Sequence, residues 1–310
     1  QNLENHSNHP DLMKNLINFD LTKEAFNEGI ADRNIHLVRG AVEPMLFSWS
    51  DMDSALYYSD ITPPFMHLHK NGIIPSEMYI EEFKAGSRTM QRLDTHAVQS
   101  LLKTGATAIL NRIDNRQELV RRLCEEVASF TNAETTANAY LAFSGEGSFG
   151  SHWDTHDVMA IQLIGKKHWR VYAPTYKSPL PGQTSKSFDS TCPTDPIFDG
   201  VLEAGDLLYV PRGWWHEVLP IGETLHVAIG IYPPHVLNYV AWFLEKNIKH
   251  HEELRKTLRS CTTTKEVVSN ACHVLTEGLN DPEVLKAFMD DVNKEMVKPR
   301  VPFSLKSLSI

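Results

Sequence analysis

Between Thr136 and Tyr232 the chain breaks into short β-rich runs separated by Gly, Pro and Asp, and this block constrains the fold more than any other part of the sequence. The runs span 137–143, 157–164, 168–173, 207–210, 215–219 and 225–232. Short strands at such spacing build a sandwich or a barrel, in which each strand finds partners on both edges and buries one face. Gly165-Lys166-Lys167 falls between two of the runs and reads as a hairpin tip. Residues 178–196, rich in Ser, Thr and Pro, read as a long mobile loop. Pro233-Pro234 ends the block.

The flanks have a different texture. Residues 1–133 read as a mixed α/β lead-in packing on the barrel of 134–233. Its first 35 residues are polar, irregular or helical. Ile35-His36-Leu37-Val38-Arg39 alternates as a strand does, and Gly40 ends it. Asp94 is the N-cap expected for a helix carrying Val98, Leu101 and Leu102, with Gly105 as its stop. Residues 106–113 predict a strand, and 116–131 predict an amphipathic helix with Leu119, Leu123, Val127 and Phe130 on one face. Residues 234–310 are helical. Val236, Val240, Phe243 and Leu244 form a stripe, Thr263 and Glu266 have capping-box spacing, and Asp281-Pro282 opens a last helix with Leu285, Phe288, Met289 and Val292. The expected class is mainly β with flanking helices: a jelly-roll barrel plus a C-terminal helical region.

Two stretches inside the β block carry chemistry. In His152-Trp153-Asp154 the two polar side chains, two residues apart, share a strand face and can converge on one ion. The second stretch, residues 205–216, has the spacing Gly-x5-Pro-x-Gly-x2-His seen in the second motif of cupin barrels, where Pro and Gly turn the chain and the His faces inward. His152, Asp154 and His216 make a 2-His-1-carboxylate set. On non-haem Fe(II) that set leaves three positions open, two for a bidentate 2-oxo acid and one for O2. A lone His-x-Asp is common; its pairing with the longer motif in one β block gives the assignment weight. His156, past the turn, reads as a non-ligand. The alternative is a barrel of structural histidines with no metal.

A 2-oxo diacid also needs a cation for its far carboxylate. Lys167, Trp169 and Val171 share the more apolar face of their run, so Lys167 is the inward lysine and Lys166 the outward one, unless both are solvated hairpin residues. Asn138 and Tyr140 share a face on the preceding strand and are candidates to hydrogen-bond the co-substrate. Tyr140 is equally readable as a core residue with a satisfied hydroxyl.

The net charge of −9 argues against sequence-independent binding of nucleic acid or a membrane surface, both of which need clustered positive charge. No apolar run reaches the roughly 18 residues of a membrane span. The cysteines, Cys124, Cys192, Cys261 and Cys272, form no CxxC pair and read as thiols of a cytoplasmic protein.

At Asn138-Ala139-Tyr140-Leu141, His152–Asp157, residues 162–172 and residues 205–216, the chain resembles the JmjC-domain ribosomal oxygenases, a cupin-like branch of the Fe(II)/2-oxoglutarate oxygenases. The likeness runs through most of 35–232. It implies a double-stranded β-helix, with iron on His152, Asp154 and His216 as the catalytic centre. It implies 2-oxoglutarate on Lys167 with help from Asn138 and Tyr140, and O2 as oxidant. It further implies hydroxylation of a protein side chain (that of a ribosomal protein, or an asparagine as in hydroxylases with the same barrel) and a homodimer formed through the helices after Pro234. Family members of this kind also carry a winged-helix-like domain after those helices, for which the stretch after Pro234 is short. Gly230 lies near a Ser or Thr of some members, and His226 reads as a pocket-lining residue. Two other activities remain open at this point: a 2-oxoglutarate oxygenase acting on a metabolite, and a metal cupin that does not use 2-oxoglutarate.

Overall fold

The structure, a computed structural model, describes residues 15–58, 62–145, 147, 149–188, 191–257, 259 and 264–296. The chain divides into two compact units, Gln1–Tyr232 and Pro233–Ile310.

In the first unit the lead-in gives α1 (Lys23–Gly29), β1 (His36–Val38), α2 (Trp49–Tyr58) and β2 (Met66–His69). A two-stranded ribbon follows, β3 (Ile80–Ala85) with β4 (Arg88–Leu93), then α3 (Thr95–Lys103), β5 (Thr107–Leu110) and α4 (Glu118–Thr131). The β block supplies β6 (Glu134–Ala142), β7 (Asp157–Tyr172), β8 (Phe198–Glu203), β9 (Leu207–Val210) and β10 (Trp215–Tyr232). Eight strands form one antiparallel sheet in the order β1-β9-β7-β10-β6-β5-β2, with β8 paired to β7. The lead-in therefore does more than pack on the β block, since β1, β2 and β5 are strands of its sheet. The ladder is an open path among the described residues, not the closed barrel expected, and the arrangement is the cupin-like roll with flanking helices.

The local signals act as their chemistry dictates. Asp94 caps α3 by accepting from the Ala97 N–H at 3.0 Å. Gln117 caps α4 in the same way through the Val120 N–H at 2.8 Å, and Asn132 ends it in the left-handed region. The buried stripe of α4 is Val120, Leu123, Cys124 and Val127. Leu119 and Phe130, expected on it, are only partly buried, and Phe130 stacks on Phe19 at 3.9 Å. The strand expected over 106–113 stops at Leu110 because Arg112 turns left-handed, leading into a 3-10 turn at Ile113–Asn115. The buried Asp114 stabilises that turn by accepting from the Arg112 guanidinium and the Ala137 N–H. Residues 178–196 contain no helix or strand among those described.

Gly165-Lys166-Lys167 is not a hairpin tip. β7 runs through it without a turn, and β10 likewise joins the two runs expected at 215–219 and 225–232. The long strands change partners midway. Residues 158–161 pair with β9 and residues 166–171 with β8, while both halves of β7 pair with β10. Across Gly165 the phase of β7 also slips. Val158 and Ala160 share a cluster with Trp169 and Val171, whereas Met159, Ile161 and Leu163 face the main core. The slip carries Lys167, and not Lys166, to the interior. Gly165 makes it possible: its φ is +67°, and a Cβ there would lie 2.1 Å from the Glu223 carbonyl oxygen.

The second unit contains α5 (Val236–Lys246), α6 (Glu252–Arg255), α7 (Thr264–Leu279) and α8 (Pro282–Met296). Asp281 opens α8 as expected, accepting from the Glu283 N–H at 2.9 Å. Of the α5 stripe, Phe243 is buried, and Trp242 donates to Asp291 at 3.1 Å, but Val236 is 80% exposed. Thr263 and Cys261 lie outside the described residues.

Candidate metal centre

His152 and Asp154 precede β7 and are not on a regular strand. They are positioned by an isolated antiparallel bridge in which His152 and His216 exchange both backbone hydrogen bonds, at 3.1 and 2.8 Å. Residues paired directly in this way send their side chains to one face, and the two imidazole centroids stand 4.4 Å apart. The turn before His216 is joined to the same segment, since Gly213 N–H donates to the Asp154 carbonyl at 2.9 Å. Gly213 has φ +79°, and a Cβ there would lie 2.7 Å from the Tyr176 carbonyl oxygen.

One ligand atom from each of His152, Asp154 and His216 lies within 4.8 Å of the others. Asp154 Oδ2 is 3.5 Å from His216 Nε2. Each histidine turns Nδ1 toward a backbone carbonyl: His152 toward Gly150 at 3.1 Å and His216 toward Trp214 at 3.2 Å. A carbonyl only accepts, so Nδ1 carries the proton and Nε2 offers its lone pair to the centre, the tautomer a metal requires. Burial, then His152, pushes His216 down to about 4. Burial opposes ionisation of Asp154, but His216, His152 and His156 outweigh it and hold the carboxyl below its usual range. The donor set therefore fits a first-row divalent ion with open positions. His156 is outside the cluster and stacks on Tyr232 at 5.0 Å.

Deeper in, Lys167 is 3% exposed. Its Nζ donates to the Tyr140 carbonyl at 3.1 Å and to His226 Nδ1 at 2.6 Å. Tyr140 lies flat on His226, and Trp169 packs against both His226 and His216. The Trp169 indole N–H is buried with no partner among the described residues. Burial, then the Asp154 carboxylate, pushes the Tyr140 phenol up to about 12, so it remains a donor. Asn138 accepts from the Arg112 N–H at 3.1 Å, and its side-chain amide near the Tyr140 phenol partly offsets that upward push.

Two features escaped the sequence. Trp153 and Trp215, adjacent to His152 and His216, turn away from the cluster and pack with Tyr172, Tyr176 and Cys192, bracing both segments from behind. Strand alternation was the available signal, since the neighbour of an inward ligand must face outward. Asp157 is the other. Its buried carboxylate accepts from the Arg212 N–H at 2.9 Å and the Tyr209 hydroxyl at 3.0 Å, tying the Pro-x-Gly turn to the start of β7. Burial raises its pKa to about 6, against 3.8 for a free carboxyl. The folded protein thus binds this proton more tightly than the unfolded chain does. The contribution of Asp157 to stability is full below about pH 4 and falls by about 3 kcal/mol as pH rises through 6. Chemical denaturation across this range should show the loss in the wild type and not in Asp157→Asn; parallel pH profiles would refute it.

The fold and the site agree with a match to a known family: residues 108–239 match the model of the JmjC domain. Among known proteins the chain resembles the ribosomal oxygenases. It is 35% identical over 147 residues to the bifunctional lysine-specific demethylase and histidyl-hydroxylase NO66 of Drosophila mojavensis, covering 45% of this chain and 17% of that protein. It is 42% identical over 99 residues to ribosomal oxygenase 1 of Gallus gallus, covering 31% and 16%. The chain thus spans about a sixth of the length of these curated relatives. Its fold is that of ycfD from Escherichia coli, with a TM-score of 0.58 at 16% identity, over 90% of this chain and 73% of that one. A second structure of that ribosomal oxygenase, in complex with cobalt and 2-oxoglutarate, aligns with a TM-score of 0.55 at 15% identity, over 89% and 72%. No helix among the described residues is long and apolar enough to cross a membrane.

Proposed function

We propose that the protein is an Fe(II)- and 2-oxoglutarate-dependent oxygenase that hydroxylates an amino-acid side chain of a protein. The observation that carries it is the conjunction of a 2-His-1-carboxylate set, with both Nε2 atoms free to ligate, and a buried inward lysine. His152, Asp154 and His216 hold the metal. When bound, the iron with O2 and 2-oxoglutarate supplies the oxidising power, with succinate and CO2 as by-products.

Lys167 binds the distal carboxylate of the co-substrate by a charge-assisted hydrogen bond. The Tyr140 hydroxyl, beside the Asn138 amide, donates to it, and Trp169 walls the pocket and excludes water. A ribosomal protein is the substrate favoured by the relatives' names. The exposed apolar residues Val236 and Leu237 support a homodimer through the C-terminal helices. Cys124, Cys192 and Cys272 are thiols and not disulfides, which supports a cytoplasmic setting.

Anaerobic titration of the Mn(II)-loaded protein with 2-oxoglutarate tests this assignment. Saturable binding is expected, and Lys167→Met should weaken it about 10- to 100-fold, the worth of one charged hydrogen bond. No binding to the metal-loaded wild type would reject the co-substrate.

A further inference from the structure

Lys167 is a buried amine with no acid beside it among the described residues. The groups that face it are Tyr140 from β6, His226 and Pro220 from β10, Leu202 from β8 and Trp169 from its own strand. None of these carries a negative charge at neutral pH. Asp154 influences the Tyr140 phenol, while burial is what acts on the amine. A buried ammonium is costly unless it is paired, and the partner used here is an imidazole.

His226 is fixed for that task. It is 5% exposed, lies flat on Tyr140 at 4.9 Å and 7°, and meets the edge of Trp169 at 5.5 Å and 78°. Burial, then Lys167 itself, holds it well below the ordinary imidazole range, so it is neutral. A lysine ammonium only donates, so Nδ1 at 2.6 Å is the accepting atom and Nε2 carries the proton. A carboxylate in this place would form a closed ion pair with Lys167 and repel an incoming carboxylate. A neutral acceptor aims the amine without doing either. The cost is incomplete charge: burial pushes Lys167 down to about 7, so near neutrality the empty pocket holds a mixture of amine and ammonium.

Resting on the 2-oxoglutarate reading above, we propose that His226 is a positioning residue that holds Lys167 aimed into the pocket, and that the pocket takes up one proton as it takes up a dicarboxylate. The proton comes from solvent and converts the amine to an ammonium; no other bond changes. The distal carboxylate supplies the negative charge that the protein withholds.

Calorimetric titration of 2-oxoglutarate into the Mn(II)-saturated protein, without O2 and in buffers of differing ionisation heat, counts that proton. Uptake should be about 0.1 proton near pH 6 and about 0.9 near pH 8, and the Kd should weaken about tenfold between them. His226→Gln keeps an acceptor oxygen and should retain the affinity within about threefold. His226→Leu removes the acceptor, and should weaken binding and move the onset of uptake to lower pH. Binding by the wild type with a constant Kd and no proton uptake would overturn the proposal while leaving the co-substrate assignment intact. So would Gln and Leu variants that both behave as the wild type. If the metal-saturated wild type does not bind 2-oxoglutarate at any pH, the assignment itself fails.

Discussion

His152→Ala is expected to hold iron more than about 100-fold more weakly than the wild type and to lose turnover in proportion. Loss of a supporting residue behind a ligand already costs 10- to 100-fold, and His152 is proposed as one of the three ligands themselves. Two protein donors would remain, His216 Nε2 and an Asp154 carboxylate oxygen. Folding should be unaffected, because the bridge that joins residue 152 to His216 is made of backbone atoms. Metal content after dialysis, read beside an unchanged melting temperature, checks this. A variant that keeps stoichiometric iron would remove His152 from the ligand set.

The largest effect on stability should come from Gly165→Ala, a single methyl group at a position about which sequence and structure disagree. At a hairpin tip the change would be mild. Inside β7 the new Cβ would press on the Glu223 carbonyl of β10, and the residue would also have to keep φ at +67°. Overpacking of about 1–3 kcal/mol and left-handed strain of about 1–2 kcal/mol add to roughly 3 kcal/mol. For a unit of this size that lowers the melting temperature by about 6–12 °C. A shift of a degree or less would favour the hairpin.

The same glycine shows where the sequence stopped being informative. Gly followed by two lysines between apolar runs has the composition of a solvent-exposed turn. Nothing local distinguishes it from a kink in a long strand, because the distinction depends on β10, about 60 residues further on, lying against it. The inward direction of Lys167 was nevertheless legible, since it follows from the apolarity of Trp169 and Val171 on its own half-strand. The convergence of His152, Asp154 and His216 was legible for a similar reason: spacing within each motif fixes which side chains share a face. The means of convergence was not, as a single bridge does the work assigned to a strand. Capping at Asp94 and Asp281 was readable because it involves only residues a few positions apart. The contact between Lys167 and His226 joins residues 59 apart in sequence, and no local pattern encodes it.

Succinate formation from 2-oxoglutarate, measured under Fe(II) and O2 with a ribosomal-protein fraction as substrate, tests the central assignment most directly. The wild type should release succinate faster when the fraction is added, with a peptide in it gaining the mass of one oxygen atom, and His152→Ala should release none. Equal succinate from both proteins, or none from iron-loaded wild type, would contradict an Fe(II)/2-oxoglutarate oxygenase built on His152, Asp154 and His216.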